Sequence, residues 1–558
     1  MSKVLVHLRV NVLNYVKLCS ILFVLGLPNI LQASSYGAPL PLGLIEVDRT
    51  IYVNNKHLVA SDSNPGTADL PLKTVGQATT RAIENRELGL GTKILVAPGV
   101  YREKFQLIVN PQDSDPPIVF EATEIGKAII SGSDVFRNWK PTKIPNIFVH
   151  AWPYKWGVKS LPESWKGRVN VSHIVRRKEM VFVNGIPLKQ VLSAIELVAG
   201  TFFATESTSQ LFIALPGGLT PSESLIEVAI RSRPVLIKGK TNLVLKGLTF
   251  QHAASDYLGS ALVITDGNNV TLEDLLFSWN NGMGYFLHNI QNLTSKRNET
   301  SNNGASGYQI STIKNLLSED DKALRNNWRG VKGEFVNWGV AGFKGLKIHD
   351  AIFRRHMAQG NHTTGFWLDY DNRNIRMEDG RWCGNRTYGL FVEASERITI
   401  TNAKIYQNNQ WGFRTVQTPD LTLTGSRIYA NRGYQLIVQA PFTRMVNNWE
   451  TGERIEHKTE RWQLTNNIIS GDHALLITDP HSIFLNGLFS DGNIWMKPSH
   501  PGAFRLGEGG KSIRFPEWQS TAKQDQNSFF IHPDSLATNL AMDCIYPPAP
   551  PPTLTKQN

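Results

Sequence analysis

Apolar and polar residues recur along the middle of the chain in a unit of 23 residues. Three gap-free segments show this best, namely NIRMEDGRWCGN (374–385), RITITNAKIYQN (397–408) and DLTLTGSRIYAN (420–431). The same pattern is looser at 242–252, 269–280, 345–356 and 461–472. A chain that coils once per repeat lays each strand beside the previous one and stacks equivalent side chains in columns. Asn385, Asn408 and Asn431 form one such column at a bend.

This period predicts an all-β fold, a right-handed parallel β-helix that is a single-stranded solenoid. Leucine-rich repeats share the period, but their Leu/Asn consensus and helical connectors are missing. A helical pattern runs from Thr74 to Leu88, with Thr74 as the N-cap. It is expected to cover the N-terminal end of the solenoid.

The pattern also predicts how the chain is divided. We expect an N-terminal cap with the first coils at 45–134 and an inserted β-rich subdomain at 135–240. The main helix follows at 241–545, with insertions near 290–340 and 440–457, because the repeat is interrupted there. About 50 residues are expected to be inserted in the first of these two regions. The segment 546–558 (PPAPPPTLTKQN and the preceding Tyr) is predicted to be a Pro-rich tail.

Each coil has a second strand just after the asparagine column, as in GFWLDYDN (365–372) and GLFVEASE (389–396). Alternation puts Phe366 and Leu368 inside, with their counterparts in the next coils. Two outward columns result, one of Trp367, Phe391, Arg414 and Ile437, the other of Asp369, Glu393, Val416 and Gln439. No lysine is expected in either column.

Asp369 and Glu393 are therefore expected to point the same way from adjacent strands, about 5 Å apart. Retaining glycosidases need two carboxyl groups at about 5–5.5 Å, one as nucleophile and one as acid/base. Two alternatives remain open. Stacked acids with Asp371 and Glu396 nearby are also typical of a calcium site, and both acids could be solvated surface residues.

The stretches SDSNPGTADLPLKT, APGVYRE and MVFVNGIPL, together with the coil repeats, resemble the bacterial β-helix proteins of the pectate-lyase-like superfamily. GFWLDY followed by GLFVE is similar to glycoside hydrolase family 120, the β-xylosidases built on a β-helix with an inserted β domain. That resemblance implies that Asp369 is the nucleophile and Glu393 the acid/base. The site is expected to bind an oligo- or polysaccharide through six further side chains, those of Trp367, Tyr370, Asp371, Phe391, Trp411 and Arg414.

Two other functions stay open. Polysaccharide lyases or epimerases on this fold act on uronate-containing glycans and often use a Lys or Arg base with calcium, and Arg414 and a basic chain favour them. A non-catalytic carbohydrate-binding surface protein would need the outward aromatic residues but not the carboxyl pair. No resident cofactor or protein metal site is expected, although a structural or substrate-bridging calcium is the alternative.

Residues 1–34 have the layout of a secretory signal peptide, with Lys3, Arg9 and Lys17 before an apolar run and small residues at its end. We therefore expect a secreted or periplasmic protein without stable membrane insertion after cleavage. The formal net charge is +11, but no long basic run or nucleic-acid-binding module is present, so no nucleic-acid partner is expected. Cys383 and Cys544 remain outside the signal, and the sequence does not decide whether they pair.

Overall fold

The computed structural model describes residues 47–109, 115–440, 442–478, 483–496, 502–507, 509–531 and Cys544. The predicted signal peptide and Pro-rich tail lie outside them. The chain is a right-handed parallel β-helix, as the repeat predicts, and each coil contributes to three parallel sheets. We number these sheets in the order in which each coil visits them. Within the described residues, no helix is both long and apolar enough to cross a membrane.

Sheet 1 carries the outward columns predicted from the sequence. Its strands are Phe105–Ile108, Val235–Lys238, the first halves of Ser260–Glu273, Met283–Lys296, Tyr308–Glu319 and Ala341–Arg354, then Thr364–Leu368, Tyr388–Glu393, Trp411–Val416, Leu436–Gln439, Leu475–Ile477 and Phe504–Leu506, with Ser512–Ile513 antiparallel to the last of these.

Sheet 2 continues each coil around the next bend. Its strands are Arg49–Val53, Thr92–Val96, Ile118–Ala122, Thr241–Lys246, the second halves of the four long strands, and then Arg373–Glu378, Glu396–Thr401, Leu421–Thr424, Trp462–Thr465 and Leu488–Asp491.

Sheet 3 completes the coil with short strands. They are Gly99–Tyr101, Ala128–Ser131, Leu248–Gln251, Leu276–Ser278, Glu299–Ser301, Lys322–Leu324, Met357–Gln359, Arg381–Cys383, Lys404–Tyr406, Arg427–Tyr429, Ile468–Ser470, Ile494–Met496 and Phe529–Ile531. From the Ser260–Glu273 strand onward, two residues connect sheet 2 to sheet 3 in each coil.

An asparagine ladder holds the bend between sheet 3 and sheet 1. The amide Nδ2 of Asn361 donates to Oδ1 of Asn385 at 3.0 Å, and Asn385 donates to Asn408 at 3.0 Å. The ladder begins at Asn280 and ends where Asn431 donates to Gln435 at 2.8 Å. These amides are buried, so each needs the next one to satisfy its polar atoms.

The helix Val75–Glu87 caps the N-terminal end as predicted, and the Thr74 side chain accepts from the backbone N–H of Gln77. The described residues also contain the helices His173–Arg176, Trp328–Gly333, Ile483–Asn486 and Phe515–Ala522, with 3-10 turns at Glu163–Trp165 and Ala194–Glu196. Cys383 and Cys544 form a disulfide, which the sequence left undecided.

The segment predicted as an inserted subdomain has its own buried core and two small sheets, antiparallel except for the parallel pairing of Lys189–Gln190 with Thr201–Thr205. One sheet contains Ser133–Val135, Val181–Val183, Ile186–Pro187 and Ile226–Ala229. The other contains Lys140–Pro141, Ile147–Ala151, Lys189–Gln190, Thr201–Thr205 and Gln210–Ala214. It leaves the β-helix after a sheet 3 strand and returns to a sheet 1 strand.

The prediction of a long insertion across 290–340 is wrong. Tyr285 pairs with Tyr308, 23 residues later, and Tyr308 pairs with Phe343, 35 residues later, so two regular coils precede one short insertion. The sequence hides these coils because small hydroxyl residues occupy inward positions. Ser318, for example, donates to the buried carboxylate of Asp321 at 2.6 Å instead of packing as an apolar residue.

Candidate active site

The register of sheet 1 brings the two acids to equivalent positions. Leu368 pairs with Val392, and the next residues of the two strands are Asp369 and Glu393. The backbone N–H of Asp369 donates to the carbonyl of Gly345 at 2.9 Å, so the parallel ladder continues through this position. Neighbouring strands lie about 4.8 Å apart, and both side chains are therefore one strand spacing apart along the same outward column.

A lysine stands beside this pair, so the expectation that the columns contain none is wrong. Lys344 pairs with Trp367 one coil earlier and so belongs to the column that continues through Phe391 and Arg414. Its Nζ lies 2.8 Å from Oδ2 of Asp369 and 3.5 Å from the centre of the Trp367 ring. With only 7% of its side chain exposed, this ammonium is held in place against Asp369.

Glu393 has a different environment. Its side chain is 22% exposed, and Oε1 lies 3.3 Å from Nη1 of Arg444. Burial and the negative charge of Asp369 raise the pKa of Glu393 to about 7, against the opposing charges of Arg444, Lys344 and Arg414. The two carboxyl groups thus have different environments. Asp369 has a close cation, whereas Glu393 retains its proton near neutrality.

A hairpin lies along the outer bend between sheets 1 and 2, next to the pair. We call it the 444–457 hairpin; its strands are Arg444–Asn447 and Arg454–His457. The backbone N–H of Asn447 donates to the Tyr370 hydroxyl at 2.9 Å, and that of Trp449 donates to Oδ2 of Asp371 at 2.8 Å. It therefore forms one wall of the site. The sequence predicted a loop here without any sign that it reaches the acids.

The aromatic residues of the column that contains Trp367 and Phe391 are largely buried, so they form the floor of the site and not an exposed surface. The rings of Trp367 and Phe391 stack at 5.1 Å, and their residues are only 7% and 5% exposed. The Arg414 guanidinium lies 4.5 Å from the centre of the Phe391 ring and donates to the Tyr388 hydroxyl at 3.0 Å. Trp411 stacks on Tyr388 at 5.1 Å. Lys344 and Arg414 thus border the floor on its two sides.

The remaining candidates lie apart from this floor. The Tyr370 ring faces the Arg444 guanidinium at 4.8 Å. Asp371 is fully buried and accepts from Nε of Arg373 at 2.7 Å, so it takes part in a buried network and does not face the cleft. Arg373 also donates to Glu396 at 2.6 Å.

Arg373 supplies the positive charge at the place where the sequence left calcium open. Burial by itself raises the pKa of Glu396, but the His457 ring, whose Nε2 lies 3.4 Å from Oε2 of Glu396, and the charges of Arg397 and Arg373 together lower it to about 2. Across the described parts of the chain, no group of three or more His, Cys, Asp or Glu side chains is arranged to hold a metal ion.

Lys344 and Arg444 are the two residues near the acids that sequence reasoning missed. Lys344 had a signal, because it precedes Trp367 by 23 residues, one repeat. Arg444 had none, since it lies in a segment that interrupts the repeat. Its position depends on how the hairpin folds back over earlier coils.

Known proteins share parts of this architecture. The family model described as "Periplasmic copper-binding protein (NosD)" matches residues 326–499, which include both acids. Among the described residues, no three or more His, Cys, Asp or Glu side chains are grouped so that they could hold a copper ion. No curated protein matches the sequence significantly.

Two solved structures have similar folds at low identity. XylC, in a complex with xylose, is 14% identical with a TM-score of 0.55, covering 83% of this chain and 85% of that one. The mannuronan C-5 epimerase AlgE6 A-module of Azotobacter vinelandii is 14% identical with a TM-score of 0.50, covering 86% of this chain and 99% of that one. These similarities establish the β-helix fold.

Proposed function

We propose that the protein is a carbohydrate-active enzyme, a retaining glycoside hydrolase in which Asp369 is the nucleophile and Glu393 the acid/base. The proposal rests on the different electrostatic environments of two neighbouring carboxyl groups. Lys344 pairs with Asp369, whereas burial and the Asp369 charge raise the pKa of Glu393 to about 7. An acid that holds its proton near neutrality beside an ionised nucleophile is what this reaction requires.

In the first step, an Asp369 carboxylate oxygen attacks the anomeric carbon while Glu393 gives its proton to the departing glycosidic oxygen. Asp369 is then bonded to the sugar and carries no charge, so the repulsion that raised the Glu393 pKa is gone. Glu393, now ionised, takes a proton from water, which displaces Asp369 from the anomeric carbon. Lys344 stabilises the Asp369 carboxylate before attack and again as it leaves.

The test uses Asp369→Asn and Glu393→Gln, with Glu163→Gln as an exposed control in the inserted subdomain. Activity is followed as reducing ends released from a panel of neutral and acidic glycans. Each site variant is expected to lose at least about a thousandfold in kcat/KM, because the two groups act as a unit. The first product should keep the anomeric configuration of the substrate by proton NMR. Full activity in both variants would refute the proposal.

A second candidate, a lyase or epimerase acting on uronate glycans, is favoured by one observation. Lys344 is a buried lysine next to Asp369, of the kind that class uses as a base or to neutralise a uronate carboxylate. Ultraviolet absorbance of an unsaturated uronate product from the same glycan panel would identify a lyase. A changed uronate composition without new ends would identify an epimerase.

We also propose that the protein acts outside the cytoplasm and needs no metal. The basic, apolar and small segments of residues 1–34 support the first statement, as does the periplasmic description of the matching family. The Arg373 guanidinium between Asp371 and Glu396 supports the second. Activity should therefore survive EDTA, and its loss with recovery on added calcium would count against this view.

A further inference from the structure

Trp338 is set apart from the other tryptophans by its exposure. The chain has 14 tryptophans, all within the described residues, and Trp338 at 46% is the only exposed one. An indole ring that is exposed to water lacks the favourable free energy that its burial would provide. Exposed aromatic rings of this kind commonly mark binding sites.

Trp338 is linked to the carboxyl pair through the side chain of Lys344, which contacts both. It belongs to the short insertion that precedes the Ala341–Arg354 strand, and its carbonyl accepts from Nζ of Lys344 at 3.0 Å. The same nitrogen lies 2.8 Å from Oδ2 of Asp369. Trp338 therefore borders the site on the N-terminal side of Asp369, next to the inserted subdomain.

The backbone at Trp338 is conformationally strained. Trp338 has φ of +72°, a left-handed conformation that bulky residues rarely adopt. The next residue, Gly339, lies so close to Trp165 that an added Cβ would be 2.5 Å from Cη2 of that indole. The Trp165 and Trp338 rings meet edge to face, 6.5 Å apart at 85°. Strain kept at an exposed aromatic residue beside an active site is typical of a functional position.

We propose that Trp338 is a stacking platform for a pyranose ring of a saccharide chain that extends from the carboxyl pair towards the inserted subdomain. The apolar face of a sugar ring suits an exposed indole, and its hydroxyl groups remain free for water. This rests on the proposed function, since it takes the cleft at Asp369 and Glu393 as the place where a glycan binds. The ligand class is an oligo- or polysaccharide longer than the unit that fills the carboxyl pair.

Affinity electrophoresis tests this directly, in native gels that contain arabinoxylan, polygalacturonate or alginate. The proteins compared are the wild type, Trp338→Ala, Trp338→Phe and Phe489→Ala. Phe489 is a matched control, because it is an exposed aromatic residue at 57% on a distant coil of sheet 2. Thermal unfolding of all four checks that the fold is kept.

The wild type should be retarded by at least one polysaccharide. Trp338→Ala should lose about tenfold or more in affinity for it, the level expected of a residue central to binding. Trp338→Phe should keep most of the affinity, and Phe489→Ala all of it. Equal retardation of Trp338→Ala and the wild type would overturn the proposal, as would a wild type that none of the three polysaccharides retards.

The outcomes separate this inference from the proposed function. Weaker binding in Trp338→Ala, together with no turnover of any glycan by the wild type, supports the platform and removes the hydrolase. Turnover that depends on Asp369 and Glu393, together with unchanged binding in Trp338→Ala, supports the hydrolase and removes the platform.

Discussion

The buried ammonium of Lys344 lies 2.8 Å from Oδ2 of Asp369 and over the Trp367 ring. Replacing it by methionine keeps an unbranched side chain that is one atom shorter and removes the charge. Asp369 would then lose the cation that stabilises it as a leaving carboxylate, so hydrolysis of the glycosyl-enzyme should slow and kcat should fall at least about tenfold. The measurement is steady-state kinetics on the responsive glycan.

Lys404→Met is the control for this change, since Lys404 is exposed on sheet 3. Lys344→Arg should keep part of the activity, because it restores a positive charge with different geometry. Wild-type kinetics in Lys344→Met would mean that the ammonium has only a structural role. Complete loss of an unsaturated product, where one is formed, would instead assign Lys344 to the lyase chemistry.

The pH dependence of activity should follow Glu393. Its pKa is raised to about 7, so the group is protonated below that pH and loses its proton above it. As a general acid it must start protonated, and kcat/KM should therefore fall about tenfold per pH unit on the alkaline side. A plateau that extends beyond pH 9 would contradict the assignment.

The charges around Glu393 can be tested in the same way. Arg444 lowers the pKa of Glu393, whereas Asp369 raises it. Arg444→Gln should therefore move the alkaline limb to higher pH. In Asp369→Asn, which cannot be followed by activity, carboxyl carbon NMR should report a lower Glu393 pKa. Shifts in the opposite directions would refute the electrostatic account of the pair.

Glu393 should also make stability depend on pH. Its pKa is about 7 in the fold and near its ordinary value of 4.5 when unfolded, so between these values the folded state binds the extra proton. Stability is therefore lost as the pH rises through this window. Glu393→Gln removes that loss, and its stability relative to the wild type should increase by at most about 3 kcal/mol from pH 4 to pH 8. Urea unfolding at both pH values measures it, with Glu163→Gln as an exposed control.

The asparagine ladder makes a separate prediction about the fold. Asn385 accepts from Asn361 and donates to Asn408 and to the carbonyl of Ala358. Asn385→Ala removes the acceptor of the Asn361 backbone N–H and the side-chain donor to the Ala358 carbonyl, at about 1–3 kcal/mol for each group left unsatisfied. We expect a loss of at least about 2 kcal/mol in urea unfolding. Asn337→Ala, at an exposed position in the short insertion, should cost far less.

The repeat was enough to predict the fold and the outward columns, because both depend on a period that every regular coil keeps. Ile375, Ile398 and Leu421 do occupy one buried column of sheet 2, as their spacing predicts. The sequence window at 345–356 was misplaced by five residues, since Asp350, not Gly345, is equivalent to Asn374. That error concealed Lys344, which the correct register puts one repeat before Trp367.

Other features depend on contacts that no periodic pattern records. Arg444 reaches Glu393 only because the hairpin folds across earlier coils, and Trp338 approaches Asp369 only through Lys344. The buried state of Asp371 was equally hidden, because alternation says which way a side chain points but not which arginine meets it. Arg373, two residues later, is that partner.

The inserted subdomain, the short insertion before Ala341 and the 444–457 hairpin each join sheet 1, the sheet that carries the acids, and none of these three lies at a corner between sheets 2 and 3. The lengths of these inserted segments can therefore vary on both sides of the acids without a shift in the strand pairing that keeps Asp369 and Glu393 at equivalent positions. Under the proposed function, the chemical step and the recognition of the glycan would therefore depend on different parts of the chain. Exchanging the inserted subdomain or the 444–457 hairpin between related proteins offers a route to new glycan preferences with the same pair of acids.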